Sequence, residues 1–356
     1  MQDLNWDDLL YDIEEQNAVL LLGHGFVPGA QADLRAKLQA RLGDKLLHSY
    51  EREGLFLFAD REAKTNAQKE AARFHRELRL EESILQKIAQ LPFPLIVSAN
   101  PDQRLLDALA QYQVPHQFDY FSCRPKRQTH AVGYPQRDQP LIYHLCGSED
   151  DRDSLLLDYE DLFQMLKALL NDLGVPDKLR IHLKRATTYI FVGFHFERWY
   201  TQLFLRYLNM HEDHFLNDSS NYVLKTSFQN PEAQQFFLQQ FNVKYIGADW
   251  SFFDELHRRF AAKFPQRLRS LTETLSPTAA TVVQLVEKAD YRAAFNVMKA
   301  FASQLDEDDR DLLTLTEAEH SECEQQQAAG LSTQEHLGIM RARVRQNLIA
   351  LAKKLS

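Results

Sequence analysis

The sequence is poor in cysteine and contains no long hydrophobic run, and each shortage excludes a class of protein. Its three cysteines, Cys123, Cys146 and Cys323, are widely spaced and odd in number, which excludes a disulfide framework and a zinc ribbon. No run reaches the roughly 18 apolar residues of a membrane span. The acidic start, MQDLNWDDLLYDIEE, lacks the basic and apolar parts of a signal peptide. We therefore expect a cytoplasmic protein with no membrane partner.

The sequence also has fewer basic than acidic residues. It contains 41 lysines and arginines and 50 aspartates and glutamates, which gives a formal charge of −9. A nucleic-acid-binding surface needs clustered positive charge. The single basic cluster, Arg124, Lys126 and Arg127, is short and fits an ordinary solvated loop. We expect no nucleic-acid partner. With 44% hydrophobic residues and only 12 glycines and 12 prolines, the chain has the composition of a globular protein.

At 356 residues, the chain is long enough for two hydrophobic cores. Short apolar runs alternate with amphipathic segments in its first part, which predicts an α/β fold with a mostly parallel, Rossmann-like sheet. The predicted strands are Ala18–Leu22, Pro94–Ser98, Leu141–Leu145, Thr188–Val192, Tyr222–Lys225 and Val243–Ile246. Ligands of such sheets bind outside the carboxyl ends of the strands, so the residues that follow these strands form the candidate site.

The pattern changes after Phe264, and Ser276-Pro277 suits the start of a helix. We predict a first domain over residues 1–266, a linker over 267–277 and a small all-α helical bundle over 278–356. Its predicted helices are Thr278–Lys288, Tyr291–Gln304, Glu307–Ala328 and Thr333–Leu355. The last helix begins with a capping box, Ser332 and Glu335, and carries an apolar stripe at Leu337, Met340, Val344, Leu348, Leu351 and Leu355.

Four predicted strands end in glycine or polar residues. The segments are VLLLGHGF with Gly23, His24 and Gly25, LIVSANPD with Ser98, Asn100 and Asp102, LIYHLCGS with His144, Cys146 and Gly147, and TTYIFVGFHFE with Gly193 and His195. Glycines after a strand let the backbone approach a pyrophosphate, although a lone GxG also serves ordinary turns. The four segments together and in this order are more specific than any one of them.

In this order the segments resemble the sirtuin family, and specifically its bacterial immune branch without the zinc module. That family carries a Gly-Ala-Gly turn and strands ending in Thr-Thr-Asn-Tyr-Asp, Leu-His-Gly-Ser and Gly-Tyr-Ser-Phe, and the resemblance covers about residues 15–260. It implies an NAD pocket. Gly23 and Gly25 would hold the pyrophosphate, Asn100 and Asp102 the nicotinamide ribose, and Gly193 the adenosine side. The remaining residues that the resemblance places in the pocket are His24, Phe26, Ser98, Gly147 and His195.

The histidine of Leu-His-Gly is the family's catalytic base, and Cys146 takes its place here. An ordinary cysteine, with a pKa near ~8.5, is mostly a neutral thiol at pH 7 and a poor base. His24, Pro28, Gly29 and Pro101 depart from the family pattern as well. These departures favour a catalytically degenerate, NAD-binding pseudoenzyme. The alternative is an active NAD+ glycohydrolase that causes abortive infection by NAD depletion. Protein deacylation is disfavoured, because the zinc-bearing peptide-binding module has no cysteines here.

Three further alternatives stay open at this point. His144 lies two residues before Cys146 and would project from the same strand face, so it is either a relocated base or a buried structural histidine. His24, His144, His195 and Cys146 could hold a metal, but their spacing matches no ligand signature and we expect none. Asn100 and Asp102 could form an Asx turn or a helix cap instead of holding a ribose.

The tail resembles the effector-associated domains of bacterial conflict systems, which are death-fold-like helical adaptors. This implies an antiphage-defence component that forms a homo-oligomer or recruits a partner defence protein. The third predicted helix is acidic and the fourth is basic, with Arg341, Arg343, Arg345, Lys353 and Lys354. Complementary charge favours head-to-tail association. The alternative is that neighbouring helices exchange ion pairs within one bundle.

Overall fold

The computed structural model describes residues 5–78, 80–122, 132–170, 175–196, 198–208, 220–224, 235, 243–247, 251–271, 277–302, 305–329 and 334–355. The predicted basic cluster at 124–127 and Cys123 lie outside these ranges. The chain divides into two compact units, residues 1–272 and 273–356. Within the described ranges, every helix is too short or too polar to cross a membrane.

A parallel sheet forms the centre of the first unit. In chain order its strands are β1 (Ala18–Leu22), β4 (Leu95–Ser98), β5 (Gln117–Tyr120), β6 (Leu141–His144), β7 (Thr188–Val192), β8 (Ser220–Leu224) and β9 (Val243–Gly247). Their order across the sheet is β5-β6-β4-β1-β7-β8-β9, and each neighbouring pair is parallel. A separate antiparallel hairpin consists of β2 (Leu46–Tyr50) and β3 (Leu55–Phe58). The predicted Rossmann-like class is confirmed.

Helices flank this sheet. They are α1 (Trp6–Glu14), α2 (Ala30–Leu42), α3 (Arg61–Glu77), α4 (Glu82–Gln90), α5 (Arg104–Gln111), α6 (Tyr159–Leu170), α7 (Asp177–Arg185), α8 (Trp199–Leu208) and α9 (Ser251–Lys263). Local sequence sets where several of them begin. Asp60, for example, accepts a hydrogen bond from the backbone N–H of Ala63 at 2.7 Å and so caps α3.

Strand β1 is buried on both faces, which explains why it reads as an uninterrupted apolar run. Val19 and Leu21 pack into a hydrophobic cluster on one face of the sheet, which we call the cavity-side cluster. Ala18, Leu20 and Leu22 pack into a second cluster on the opposite face, which we call the far-side cluster. The chain passes from β1 to β4 on one side and later crosses to β7 on the other, so a crevice forms at the strand ends beside β1.

The first unit extends beyond the predicted boundary at residue 266. Leu268 and Leu271 pack against the far-side cluster. The buried guanidinium of Arg269 donates hydrogen bonds of 2.6–3.0 Å to the carbonyl oxygens of four residues: Ala89, Leu91, Phe93 and Arg137. The predicted linker over 267–277 therefore begins within the packed part of this unit.

Four helices form the described part of the second unit. They are α10 (Pro277–Glu287), α11 (Tyr291–Ala300), α12 (Glu307–Ala329) and α13 (Gln334–Ala352), and they enclose a core that includes Val282, Phe295, Met298 and Leu313. Most of the predicted apolar stripe of α13 is buried, namely Leu337, Val344, Leu348, Leu351 and Leu355. Ser332, the first member of the predicted capping box, lies outside the described residues.

Acidic and basic residues of the second unit pair with each other inside the unit. Lys354 lies 2.6 Å from the buried carboxylate of Asp309. Lys299 lies 2.6 Å from Glu317 and Arg343 lies 3.5 Å from Glu319. The charge pattern is thus accounted for, at these positions, by ion pairs within one bundle, which was the simpler of the two alternatives.

Candidate functional site

A cavity of about 840 Å³ lies beside the ends of β1, β4, β6 and β7. Its volume is typical of sites for small molecules and cofactors. One wall is apolar and includes Leu55, Phe56 and Met165. Polar residues from the strand ends and from more distant elements also line it. They include His24, Gln31, His75, Asn100, Cys146, His195, Arg198 and Tyr200, together with Arg35, Ser49, Glu51, Arg52 and Glu53.

Asn100 joins the ends of β4 and β1. Its side-chain Nδ2 donates to the carbonyl oxygen of Gly23 at 2.9 Å. The Ser98 hydroxyl accepts from the Asn100 backbone N–H at 3.0 Å and donates to the Asn100 carbonyl at 3.1 Å, which closes a tight turn. Asn100 therefore lines the cavity from a fixed position, and Ser98 supports it from behind without lining the cavity itself.

His24 lies between this turn and Cys146. Its Nε2 is 3.9 Å from the Cys146 Sγ, and its ring also hydrogen-bonds the Asn100 side chain. Burial, followed by the positive charge of Arg198 and the neighbouring His75, lowers the pKa of His24 to about 3. The imidazole is therefore neutral near pH 7. The Cys146 thiol and a neutral histidine thus meet at the cavity wall.

The three glycines expected to hold the nucleotide instead pack against each other. The Gly25 N–H donates to the Gly193 carbonyl at 2.9 Å, where the turns after β1 and β7 meet. Gly193 has a φ of +75°, and a Cβ there would lie 2.2 Å from the Phe26 nitrogen. A Cβ on Gly23 would lie 2.4 Å from the Gly193 oxygen. Glycine is required for this close approach of two turns, and none of the three lines the cavity.

His144 and Phe26 lie on the opposite face of the sheet from the cavity. The His144 ring packs edge-to-face on Phe118, 4.9 Å away between centroids, and Phe118 packs against the far-side cluster, which includes Phe26. Cys146 belongs to the cavity-side cluster. The expectation that His144 and Cys146 share a strand face therefore does not hold, because the chain leaves the strand at His144.

Asp102 and Gly147 have local structural roles, and that of Asp102 matches the capping alternative. The Asp102 carboxylate accepts from the backbone N–H of Arg104 at 3.2 Å, at the start of α5. Burial raises its pKa, since little water reaches the carboxylate. A Cβ on Gly147 would lie 2.3 Å from the Ser154 oxygen, so the turn after β6 requires glycine. Neither residue lines the cavity.

Arg198 is a cavity residue that the sequence analysis missed. It is only 6% exposed, and its guanidinium donates to the Tyr200 hydroxyl at 2.9 Å and to the Gln31 side-chain oxygen at 2.6 Å. Its Nε has no hydrogen-bond partner. No carboxylate of the described residues lies within ion-pair distance of Arg198. Sequence could not reveal this arrangement, because Gln31 is 167 positions away.

A parallel sheet with a polar cavity at its strand ends defines an α/β protein of the Rossmann-like class. Residues 94–246 match the family model of the SIR2-like domain, and residues 277–356 match that of effector-associated domain 11. These two matches confirm the resemblances, seen in the sequence, to a SIR2-like domain and to an effector-associated domain. A search of curated proteins finds no match to this chain.

Proposed function

We propose that the first unit binds NAD or a related nucleotide in the cavity and that it cleaves NAD weakly or not at all. SIR2-like domains are in general related to NAD. The cavity fits such a ligand in two respects. Its volume is sufficient, and a buried cation with an unused N–H faces it, which suits the phosphates of a nucleotide.

The observation that carries the degenerate assignment is the pairing of Cys146 with His24. Cleavage of NAD needs a base that assists the attacking oxygen, and an efficient base has a pKa near the working pH. The pKa of His24 is about 3 and that of His75 is about 4, in both cases because burial penalises the charged ring. Neither imidazole is well matched to proton abstraction near pH 7, and Cys146 offers a thiol in place of the family's histidine.

Calorimetry and product analysis on the full chain test this function. We expect NAD to bind, and we expect no more than slow release of nicotinamide. Cys146→His, which restores the family residue, is the informative variant, and its thermal unfolding should first be matched to that of the parent. Rapid nicotinamide release by the unmodified chain would contradict the degenerate assignment, and absence of NAD binding would contradict the nucleotide assignment.

A second candidate is an active NAD+ glycohydrolase in which His24 serves as the base. It is favoured by the 3.9 Å separation of His24 Nε2 and Cys146 Sγ, which brings an imidazole close to the position that the family's histidine fills. This candidate predicts NAD loss that disappears in His24→Ala and persists in His144→Ala, since His144 faces away from the cavity.

We further propose that the effector-associated unit mediates protein association, either between copies of this chain or with a partner defence protein. Support comes from the family of the domain and from its separate hydrophobic core. Together the two units would form a cytoplasmic component of a bacterial antiphage system, in which the helical unit assembles or recruits and the SIR2-like unit binds the nucleotide.

A further inference from the structure

Arg198 is a buried positive charge whose hydrogen-bond partners, in the part of the chain that the structure describes, are neutral. The Tyr200 hydroxyl and the Gln31 amide oxygen accept from its two terminal nitrogens, and both partners line the same cavity. The Tyr200 hydroxyl in turn donates to the Glu53 carbonyl at 2.7 Å. The guanidinium is therefore held in place by dipoles, while its Nε has no partner.

Burying such a charge is costly unless an opposite charge compensates it. An arginine also keeps its charge in proteins, so it cannot lower this cost by losing a proton. Among the described residues, no carboxylate supplies the compensation. An anion that enters the cavity would supply it and would meet a donor that is already oriented.

The helix that follows Arg198 also favours an anion. Arg198 directly precedes α8, whose N-terminus at Trp199 carries the positive end of the helix dipole. The Arg198 carbonyl accepts from the backbone N–H of Thr201, so the residue is part of the first turn of that helix. Two half-buried histidines that line the cavity, His24 and His75, have lowered pKa values of about 3 and 4, so they are neutral near pH 7 and do not compete for the anion.

We infer that Arg198 is the phosphate-recognition residue of the cavity, with its Nε and the adjacent terminal nitrogen donating to a phosphate of the bound nucleotide. The inference rests on the proposed function only for the identity of that nucleotide. It places the phosphates beside α8 and Gln31, away from the GxG turn, whose glycines are occupied by the packing of β1 against β7.

Arg35 provides a matched control. It lies at the rim of the same cavity, but its guanidinium forms an ion pair with Glu51, and both side chains are substantially exposed. Its charge is therefore already compensated and solvated. Arg198→Gln and Arg35→Gln each remove one positive charge from the cavity. The charge lost at Arg198 has no carboxylate partner among the described residues, whereas the charge lost at Arg35 is paired with Glu51.

The experiment measures binding of NAD, ADP-ribose and inorganic pyrophosphate to the full chain and both variants, by calorimetry and by ligand-dependent thermal shift. We expect Arg198→Gln to weaken each ligand about tenfold or more, because charge-assisted hydrogen bonds are lost. Arg35→Gln should weaken binding by a clearly smaller factor than Arg198→Gln, because the Arg35 charge is already paired with Glu51. Without ligand, Arg198→Gln should melt at the same temperature or higher, since it removes a buried charge that no carboxylate of the described residues compensates.

The outcomes separate this inference from the proposed function. If pyrophosphate binds through Arg198 but NAD does not bind, the anion site stands and the NAD assignment fails. If NAD binds equally to the parent and to Arg198→Gln, the NAD assignment stands and the anion site is overturned. If none of the three ligands shifts the melting of the parent, both are overturned.

A second measurement does not depend on the folding of a variant. A crystal structure of the unmodified chain soaked with pyrophosphate should place a phosphate oxygen within hydrogen-bond distance of Arg198 Nε, about 3 Å. A phosphate bound only at the Gly23–Gly25 turn, or none in the cavity, would overturn the inference.

Discussion

The turns after β1 and β7 meet through backbone atoms at Gly25 and Gly193, where a side chain has no room. We predict that Gly193→Ala lowers the free energy of unfolding by about 3 kcal/mol or more, because it adds a backbone clash to the cost of a left-handed φ. Urea unfolding of the purified chain measures this loss.

Gly29→Ala is the matched control for this prediction. Gly29 has nearly the same backbone angle, with a φ of +77°, but a Cβ there would have only Asp33 near it, at 3.8 Å. Gly29→Ala should lower the free energy of unfolding by only about 1–2 kcal/mol, which is the cost of a left-handed φ without a clash. Equal losses in the two variants would show that the close approach of the two turns is not what requires glycine at 193.

His144 gives the protein a pH dependence of known sign. Burial lowers its pKa to about 3 in the folded state, with a small contribution from His75. Below the unfolded pKa of about 6.5, the unfolded chain binds a proton at this site that the folded chain does not. The stability that His144 contributes is therefore present above about pH 6.5 and is lost as the pH falls toward the folded value.

Comparison with His144→Leu isolates this effect, since Leu fits the apolar contact with Phe118. Between pH 6.5 and 5 the parent should lose about 2 kcal/mol more stability than the variant, from one proton at about 1.4 kcal/mol per pH unit. Other groups, such as the Glu149 carboxyl with its pKa raised to about 7 by burial, act equally in both proteins and cancel. Identical pH profiles would contradict the burial of a neutral His144.

At the residue scale, the sequence predicted part of the site. His24, Asn100, Cys146 and His195 line the cavity because each follows a strand whose end borders it. The strand order predicted by the resemblance was enough to place them. It could not reveal Arg198, since the meaning of that residue depends on its burial and on partners from distant segments.

Among the secondary-structure elements, strands that are buried on both faces were predictable and polar ones were not. The run at Ala18–Leu22 has no polar residue and was assigned with its observed bounds. The strands Leu46–Tyr50, Leu55–Phe58 and Gln117–Tyr120 were missed. They are short, and most carry polar residues or exposed positions that weaken the hydrophobic pattern. The helices of the second unit followed from their apolar stripes.

The segment after α9 is held to the sheet by Arg269, which donates to four carbonyl oxygens around the α4 to β4 connection. Replacing it by methionine leaves these buried acceptors without a donor. We predict that Arg269→Met destabilises the first unit by about 3 kcal/mol or more. Thermal or urea unfolding measures the change.

Arg267→Met serves as the control for Arg269. Arg267 pairs with Glu14 at 2.7 Å, but its side chain is 53% exposed. An exposed ion pair of this kind contributes about 0–1 kcal/mol. A loss at Arg269 no larger than that at Arg267 would mean that the segment beyond residue 266 is not an integral part of the first unit.

For the whole molecule, the proposed association through the second unit depends on charges that are not already paired within it. Within the described ranges, Arg345 is exposed and has no ion pair, and Arg341 is exposed and donates a hydrogen bond to the neutral Gln327. We predict that the double variant Arg341→Glu, Arg345→Glu weakens assembly at low salt while the unit stays folded. Light scattering at low and high salt measures the size, and circular dichroism the fold.

Arg343→Glu separates association from internal stability, because Arg343 pairs with Glu319 inside the bundle. It should lower the melting temperature slightly and affect assembly less than the double variant. Assembly should also weaken as salt rises, since exposed charges are screened over about 10 Å at 0.1 M salt. If the double variant assembles like the parent at every salt concentration, the basic surface of α13 is not the interface.

The most direct test of the central claim, that the SIR2-like unit binds a nucleotide in the cavity beside β1, is a crystal structure of the full chain grown with NAD. We predict intact NAD in that cavity, with its ribose near Asn100 and His24 and a phosphate on Arg198. A cavity that stays empty at saturating NAD, or a nucleotide bound elsewhere, would contradict the claim. Density for ADP-ribose and free nicotinamide would instead support the active glycohydrolase.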